Sequence, residues 1–223
     1  MKFWRKVITI VWKDALSEMR AKETISAVLV FTILVIVIFN FAFGANPEIV
    51  KSVAPGMLWV TFAFAGVLSL NRAFIVEREE SCIEGLMVAP ISLDCIYVGK
   101  MLGSLMFMLI VEIIALPIFT VLFNLTLLTP EVVVVTFLTT VGFVTTGTLF
   151  SAMAVNTKAR ELVLPILFLP IVSPIIISAV NASRLALSGE SWGGLSTWLQ
   201  IIVAFDVIVT VAAFLTFAYV IEE

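Results

Sequence analysis

The sequence contains no histidine and few charged residues. Asp, Glu, Lys and Arg make up 13% of its 223 residues, whereas a soluble domain carries about 25% because its surface faces water. The lack of histidine removes the commonest general base and metal ligand. The chain is also too apolar to be disordered, since disorder requires low hydrophobicity and high net charge. The composition therefore excludes both a soluble domain and a disordered chain.

Cysteine is scarce as well, with Cys82 and Cys95 the two in the chain. Both are predicted to fall in one polar connection between apolar stretches, and the distribution of basic residues places that connection in the reducing cytoplasm. We therefore expect two free thiols rather than a disulfide.

Long apolar stretches are what the sequence has in abundance, with 61% hydrophobic residues and a mean hydropathy of +1.18. A helix crosses the bilayer core of about 30 Å with about 20 apolar residues. The stretches that qualify are Ile25–Phe43, Gly56–Val76, Met101–Phe123, Val132–Val155, Leu162–Val180 and Leu199–Ile221. We therefore predict an all-α integral membrane protein. It is a single domain of residues 1–223, with a six-helix bundle over residues 25–221.

Residues 1–24 are amphipathic and form no predicted span. One helical face carries Trp4, Ile8, Val11, Trp12, Ala15 and Met19, and the other carries mostly Lys2, Arg5, Lys6, Lys13, Ser17 and Arg20. This pattern is typical of a helix that lies in the lipid headgroup layer. A cleaved signal peptide is the competing interpretation, but its positive region is normally much shorter. We predict an interfacial helix.

The basic residues predict the orientation. With the N-terminus in the cytoplasm, the cytoplasmic segments hold eleven lysines and arginines, and the outer loops hold two, Lys51 and Arg184. The eleven are Lys2, Arg5, Lys6, Lys13, Arg20, Lys22, Arg72, Arg78, Lys100, Lys158 and Arg160. The positive-inside rule then places both termini in the cytoplasm. The expected location is therefore a cellular membrane that the chain crosses several times.

The connection after the second span is the most informative stretch. It begins as a charged helical extension and continues into a short amphipathic turn that Pro90 stops. Glu80 and Glu84 lie one turn apart on one side, and Leu86 lies on another. A solvated loop and a docking helix for a cytoplasmic partner both fit this pattern. The residues concerned are Glu77, Arg78, Glu79, Glu80, Glu84, Gly85, Leu86 and Pro90.

Two carboxylates lie inside predicted spans, Glu112 in the third and Asp206 in the sixth. A charge at such depth is costly, so both groups are expected to face the bundle interior, with a partner or in protonated form. They fit either a polar patch on a substrate or partner path, or hydrogen bonds that pack helices together.

Small residues and prolines distinguish the fourth and fifth spans. Gly142 and Thr146, like Gly147 and Ser151, have the small-xxx-small spacing of close helix packing. The fifth span contains Pro165, Pro170 and Pro174. Each proline removes a backbone donor and clashes with the preceding turn, so a kink is predicted, as a hinge or only as a shape.

Several short runs resemble the haem exporter B (CcmB) family, the membrane subunit of the ABC-type complex for cytochrome c maturation. They are Ala54-Pro55-Gly56-Met57-Leu58-Trp59-Val60, Ser69-Leu70-Asn71-Arg72, Glu77-Arg78-Glu79, Glu84-Gly85-Leu86, Ala89-Pro90 and Gly99-Lys100. The resemblance covers essentially the whole chain and is most specific between Pro55 and Lys100. It implies a type-2 ABC exporter permease, in which the connection after the second span contacts the ATPase subunit as a coupling helix.

The resemblance also implies partners. These are a cytoplasmic ABC ATPase, a second membrane subunit or another copy of the chain, and a haem chaperone on the outer side; no nucleic acid is expected. Residues 181–198 would form short helices that dip into the membrane. Haem is the implied substrate, with no covalently bound cofactor.

No nucleotide or catalytic site is predicted. Gly99-Lys100 is not a phosphate loop, because Asp94 stands where that motif needs glycine and Met101 where it needs serine or threonine. No nucleophile–base pair or metal cluster is visible in the sequence. We therefore expect a non-catalytic, metal-free transporter subunit that uses ATP only through its partner.

The lack of histidine argues against direct binding of haem iron by this chain, since the iron would need rarer ligands such as Met or Cys. Release of a haem-loaded chaperone is therefore favoured over direct ligation during transport. Two alternatives stay open. One is a type-2 ABC permease for a lipid, drug or polysaccharide, and the other is an ATP-independent secondary transporter with Glu112 or Asp206 as proton carrier.

Overall fold

The computed structural model describes residues 2–20, 22–43, 47–79, 92–154 and 160–222. These residues form seven helices: α1 Lys2–Arg20, α2 Lys22–Phe43, α3 Pro47–Glu79, α4 Leu93–Phe123, α5 Pro130–Ala154, α6 Arg160–Leu187 and α7 Trp192–Glu222. Helices α2 to α7 each hold a stretch long and apolar enough to cross a membrane. The stretches are Ile25–Phe43, Glu48–Asn71, Leu93–Phe123, Pro130–Ala154, Pro165–Leu187 and Trp192–Phe217. The predicted all-α fold with six spans is confirmed.

Helix α5 is the centre of the bundle and packs against α3, α4, α6 and α7. Its interface with α3 includes one glycine on each helix. A Cβ on Gly66 of α3 would collide with Phe143, and a Cβ on Gly147 of α5 would collide with Leu70. The hydroxyl of Ser151 also donates to the carbonyl of Leu70 at 2.6 Å. Small residues thus let the two backbones approach closely. Such packing matters in a membrane because lipid tails are as apolar as leucine, so helices gain no hydrophobic driving force by associating.

Helix α6 continues through all three of its prolines. Pro174 has no N–H to donate to the carbonyl of Pro170, four residues earlier. The hydroxyl of Ser173 donates to that carbonyl instead, at 2.8 Å. This side-chain bond is one way in which a membrane helix tolerates proline. The predicted kink stays a prediction.

Several predicted helix ends are wrong because polar residues extend the helices. Helix α3 begins at Pro47, so Pro55 and Gly56 lie in its interior. Helix α4 begins at Leu93, so Cys95 and Lys100 are helical and buried rather than part of a connection. Lys100 tolerates this position because it pairs with Asp14 of α1.

The short dipping helices expected over residues 181–198 are also wrong. Helix α6 continues to Leu187, and α7 begins at Trp192 after a four-residue turn. Ser183 lies inside α6, where its buried hydroxyl accepts a hydrogen bond from Trp59. Gly189, with a φ of +82°, adopts the left-handed conformation that ends helices.

Helix α1 has two apolar faces rather than one. Trp4, Ile8 and Trp12, on the predicted face, are 63–66% exposed. Val7 and Ile10 lie about 100° and 160° around the helix from Ile8 and are buried with α4 residues. The sequence pattern missed this inward face, because apolar residues alone do not distinguish contact with protein from contact with lipid.

Candidate functional site

Glu112 is buried at the centre of the bundle. Its side chain extends from the middle of α4 and is 2% exposed. Oε1 accepts a hydrogen bond from the hydroxyl of Thr140 on α5 at 2.5 Å. Within the described part of the chain, Oε2 has no hydrogen-bond partner. The carboxyl group therefore has one satisfied and one unsatisfied oxygen in an apolar surrounding.

A small cavity adjoins this carboxyl group where four helices meet. Its walls are Trp59, Phe62 and Ala63 of α3, Met108 and Glu112 of α4, Thr140 and Phe143 of α5, and Ile176 of α6. Its volume is about 10 Å³, which is about the least that can hold one water molecule. The site is therefore shaped for a group of the size of water rather than for a large ligand.

The threonines of α5 supply the polar side of this centre. Thr145 and Thr146 donate their hydroxyls to carbonyls four residues earlier in their own helix, at 2.7 Å in each case. Thr140 donates across to α4 instead. The hydroxyls of Thr136 and Thr139 are buried without a partner among the described residues. Thr140 is thus the threonine of α5 that bonds to Glu112, and Thr136, one turn earlier, lies on the same side of the helix.

Asp206 occupies a separate place on α7. A Cβ on Gly142 of α5 would collide with its carboxylate and with Ile175 of α6. Its Oδ1 is buried and has no hydrogen-bond partner in the described residues. Thr140 and Gly142 are two residues apart, and therefore about 200° apart around α5. The structure does not bring Glu112 and Asp206 together.

Trp59 links the run over residues 54–60 of the sequence to the site. Its Nε1 donates to Oγ of Ser183 on α6 at 3.0 Å, in a buried position. Its ring meets that of Phe62 edge-on at 5.9 Å. Sequence analysis singled out this run without assigning Trp59 or Ser183 a role. The signal was a tryptophan deep inside a span, whose N–H needs a partner when buried.

The segment predicted to contact an ATPase is described only in part. The predicted helical extension is confirmed as far as Glu79, because Glu77, Arg78 and Glu79 end α3. The other residues of that segment lie outside the described residues: Glu80, Glu84, Gly85, Leu86 and Pro90.

The other predicted packing residues all lie inside helices. Thr146 and Ser151 are buried in α5, and Ser151 bonds to α3. Pro165, Pro170 and Pro174 lie along α6. Cys95, in the first turns of α4, is a buried free cysteine that is 1% exposed.

Comparison with known proteins gives one consistent result. The family model described as CcmB protein matches residues 5–222. A protein of Pseudomonas aeruginosa named heme exporter protein B is 27% identical over 183 residues, which cover 82% of each chain. The protein of that name from Rhodobacter capsulatus is 29% identical over 180 residues, or 79% of this chain and 82% of the relative. The one from Bradyrhizobium diazoefficiens is 26% identical over 162 residues, or 72% and 73%.

Proposed function

The chain belongs to the CcmB family, and we propose that it is the non-catalytic permease subunit of an ABC-type complex for haem handling in cytochrome c biogenesis. A separate cytoplasmic subunit hydrolyses ATP in this proposal. The present chain transmits the resulting movement to haem, or to a haem-loaded chaperone, on the outer side. The observation that carries the proposal is the family match over residues 5–222, which contain all six candidate spans.

Release of a haem-loaded chaperone is the form of the activity that we favour. The chain has no histidine to ligate haem iron. The cavity beside Glu112 measures about 10 Å³, whereas pockets for small molecules and cofactors measure about 300–1,000 Å³. This cavity is therefore far too small to hold haem in the conformation described. Transmission of movement to a partner does not require such a pocket.

The orientation in this proposal has both termini in the cytoplasm. Helix α1 packs against the first turns of α4, since Val7 and Ile10 are buried with Cys95 and Ile96. The N-terminal helix and the connection that precedes α4 therefore belong to the same end of the bundle. That arrangement is consistent with the basic residues, since five lie in α1 and three more adjoin the connection, namely Arg72 and Arg78 in α3 and Lys100 in α4.

The surface of the bundle would be covered by the lipid bilayer and by a second membrane subunit or a second copy of the chain. Helices α2 and α7 are the least buried of the six spans. Their exposed side chains include Phe41 on α2 and Ile208 and Leu215 on α7, at 85%, 67% and 68% exposed. Apolar faces of this kind suit contact with lipid or with another membrane helix.

Copurification with the ATPase tests the proposal directly. The chain is produced in cells that lack their own CcmB protein. Haem attachment to c-type cytochromes is then measured together with copurification of the ATPase. Leu86→Asp is expected to lose both, because it places a charge in a predicted apolar contact. Glu80→Ala is the matched control and should lose much less, since surrounding charges mostly set rate and register. Normal ATPase binding and cytochrome maturation with Leu86→Asp would contradict the assignment of the coupling segment.

An inactive ATPase subunit separates the proposal from a stand-alone transporter. The buried carboxyl group of Glu112 is the observation that would favour proton-coupled transport. If the chain acts through ATP, haem attachment ceases when the partner subunit cannot hydrolyse ATP. Continued maturation under that condition would reject the ABC permease and favour the secondary transporter.

A further inference from the structure

An ion pair that the proposed function does not use joins the N-terminal helix to α4. The ammonium of Lys100 lies 3.1 Å from Oδ2 of Asp14, and the Lys100 side chain is only 4% exposed. The other carboxylate oxygen of Asp14 lies 3.1 Å from the ammonium of Lys13, whose side chain is 44% exposed. Asp14 therefore connects an exposed cation of its own helix to a buried cation of α4.

Gly99 of α4 allows α1 to come this close, while Gly103 faces Asp14 at an ordinary contact distance. Gly99 and Gly103 are one turn apart and flank Lys100. A Cβ on Gly99 would lie 2.7 Å from the side chain of Ile10, closer than real Cβ atoms approach, and one on Gly103 would lie 3.5 Å from Asp14. Ile10 and Asp14 are themselves one turn apart. The two helices therefore match turn for turn, in the small-xxx-small arrangement of close helix contact.

Apolar packing alone does not fix this arrangement. Val7 and Ile10 are buried with Cys95 and Ile96 of α4. Such packing is attractive but non-directional, so it tolerates rotation and sliding of α1. A buried ion pair adds little net stability, yet it disfavours other registers because they leave a buried charge without its partner.

We propose that Asp14 and Lys100 are positioning residues that fix the register of α1 on the first turns of α4, so that α1 moves with α4 during the transport cycle. Lys100 lies near the start of α4, shortly after the connection that is proposed to bind the ATPase. A displacement of that connection would reach α1 through α4. Helix α1 would then transmit the movement to the lipid headgroup layer, which its exposed Trp4 and Trp12 are predicted to face. The inference rests on the proposed function.

Neutralising both partners distinguishes a positioning role from a purely structural one. Asp14→Asn or Lys100→Met alone removes one member of a buried pair, so each single variant is expected to be less stable. The double variant removes both charges and is expected to regain wild-type thermal stability, because replacing a whole buried pair is often neutral. If the pair only stabilised the fold, the double variant would also regain full activity.

Two readouts on the full complex test the proposal. We expect Asp14→Asn/Lys100→Met to keep the wild-type melting temperature and ATPase copurification, but to attach about tenfold less haem per ATP hydrolysed, a usual size for coupling between sites. Hydrogen exchange at the amides of residues 7–14 should be about tenfold faster, because α1 is no longer held in one register. Lys13→Gln removes the exposed partner of the same carboxylate and serves as the matched control, with wild-type values expected.

The charge-swapped variant Asp14→Lys/Lys100→Asp restores opposite charges and should recover part of both readouts. It also decides the question if the neutral double variant does not reach the membrane, since failure to recover either readout would count against the proposal. Wild-type exchange in α1, or wild-type haem attachment per ATP in the neutral double variant, would overturn it. If the wild-type chain itself fails to support haem attachment, the proposed function is wrong, whereas the exchange comparison still tests the pair.

Discussion

Replacing Thr140 by valine is the sharpest test of the polar centre. Valine has nearly the shape of threonine but no hydroxyl, so Thr140→Val removes the hydrogen bond to Glu112 without opening a cavity. Glu112 is 2% exposed, and its Oε2 has no partner among the described residues. The variant therefore leaves the whole carboxyl group unsatisfied. A buried polar group without its partner costs about 1–3 kcal/mol, and more when it is charged.

Companion variants separate the hydrogen bond from the volume of the side chains. Glu112→Gln keeps an oxygen that accepts from Thr140, so its effect on stability should stay below about 1 kcal/mol. Glu112→Leu leaves the Thr140 hydroxyl free to donate to the carbonyl four residues earlier, as Thr145 and Thr146 do. The double variant Glu112→Leu/Thr140→Val removes both polar groups and should be close to the wild type in stability.

Thermal unfolding of the detergent-purified chain measures these effects. For a chain of this length, 1 kcal/mol shifts the melting temperature by about 2–4 °C, so Thr140→Val should lower it by about 2–12 °C. The double-mutant cycle should show a large favourable coupling between the two positions. A Thr140→Val variant that melts like the wild type, or a double variant that is no more stable than Thr140→Val, would refute the argument.

The same variants decide what Glu112 is for. If the stable double variant Glu112→Leu/Thr140→Val supports full haem attachment to c-type cytochromes, the carboxyl group only packs helices. If the variant folds and assembles but haem attachment fails, the carboxyl group takes part in function. Wild-type activity of Glu112→Gln together with inactivity of the double variant would show that the function needs a polar group there rather than a charge.

Gly142→Ala should lower the melting temperature because its Cβ would meet the Asp206 carboxylate. Gly56→Ala should instead stabilise by about 0.4–1 kcal/mol, since that Cβ would meet nothing within 4 Å among the described residues apart from its chain neighbours and the backbone of its own helix; thermal unfolding checks both. A cysteine at Ser188 should react with an impermeant reagent outside intact cells, whereas Cys95, 1% exposed, should not react from either side. Reaction of Ser188→Cys only after lysis would contradict the orientation.

The spans were predictable because a bilayer leaves the backbone few alternatives. The first span, Ile25–Phe43, has the predicted bounds. Helix ends were less predictable, because a polar residue continues a helix wherever another helix satisfies it. Lys100 looks like the end of a loop in the sequence, yet Asp14, 86 positions earlier, keeps it inside α4. Information of this kind lies in tertiary contacts and not in local hydropathy.

The candidate site was predictable in the same partial way. Glu112 stands out because a carboxylate is costly in an apolar stretch. Its partner does not stand out, because α5 carries several threonines with similar local surroundings. The choice of Thr140 depends on how α4 and α5 are rotated about their axes. The inward face of α1 was missed for the same reason, since Val7 and Ile10 look no different in sequence from the exposed Ile8.

The placement of the two intramembrane carboxylates bears on the choice between mechanisms. On one side of α5, Thr140 donates to Glu112 of α4, and on roughly the opposite side Gly142 makes room for Asp206 of α7. A proton relay through both carboxylates would have to cross α5. The hydroxyl of Thr146, one turn after Gly142, is engaged with the backbone of its own helix. The arrangement thus argues against a relay that uses both carboxylates, and the experiment with an inactive ATPase subunit distinguishes a proton carrier at one of them from the proposed permease.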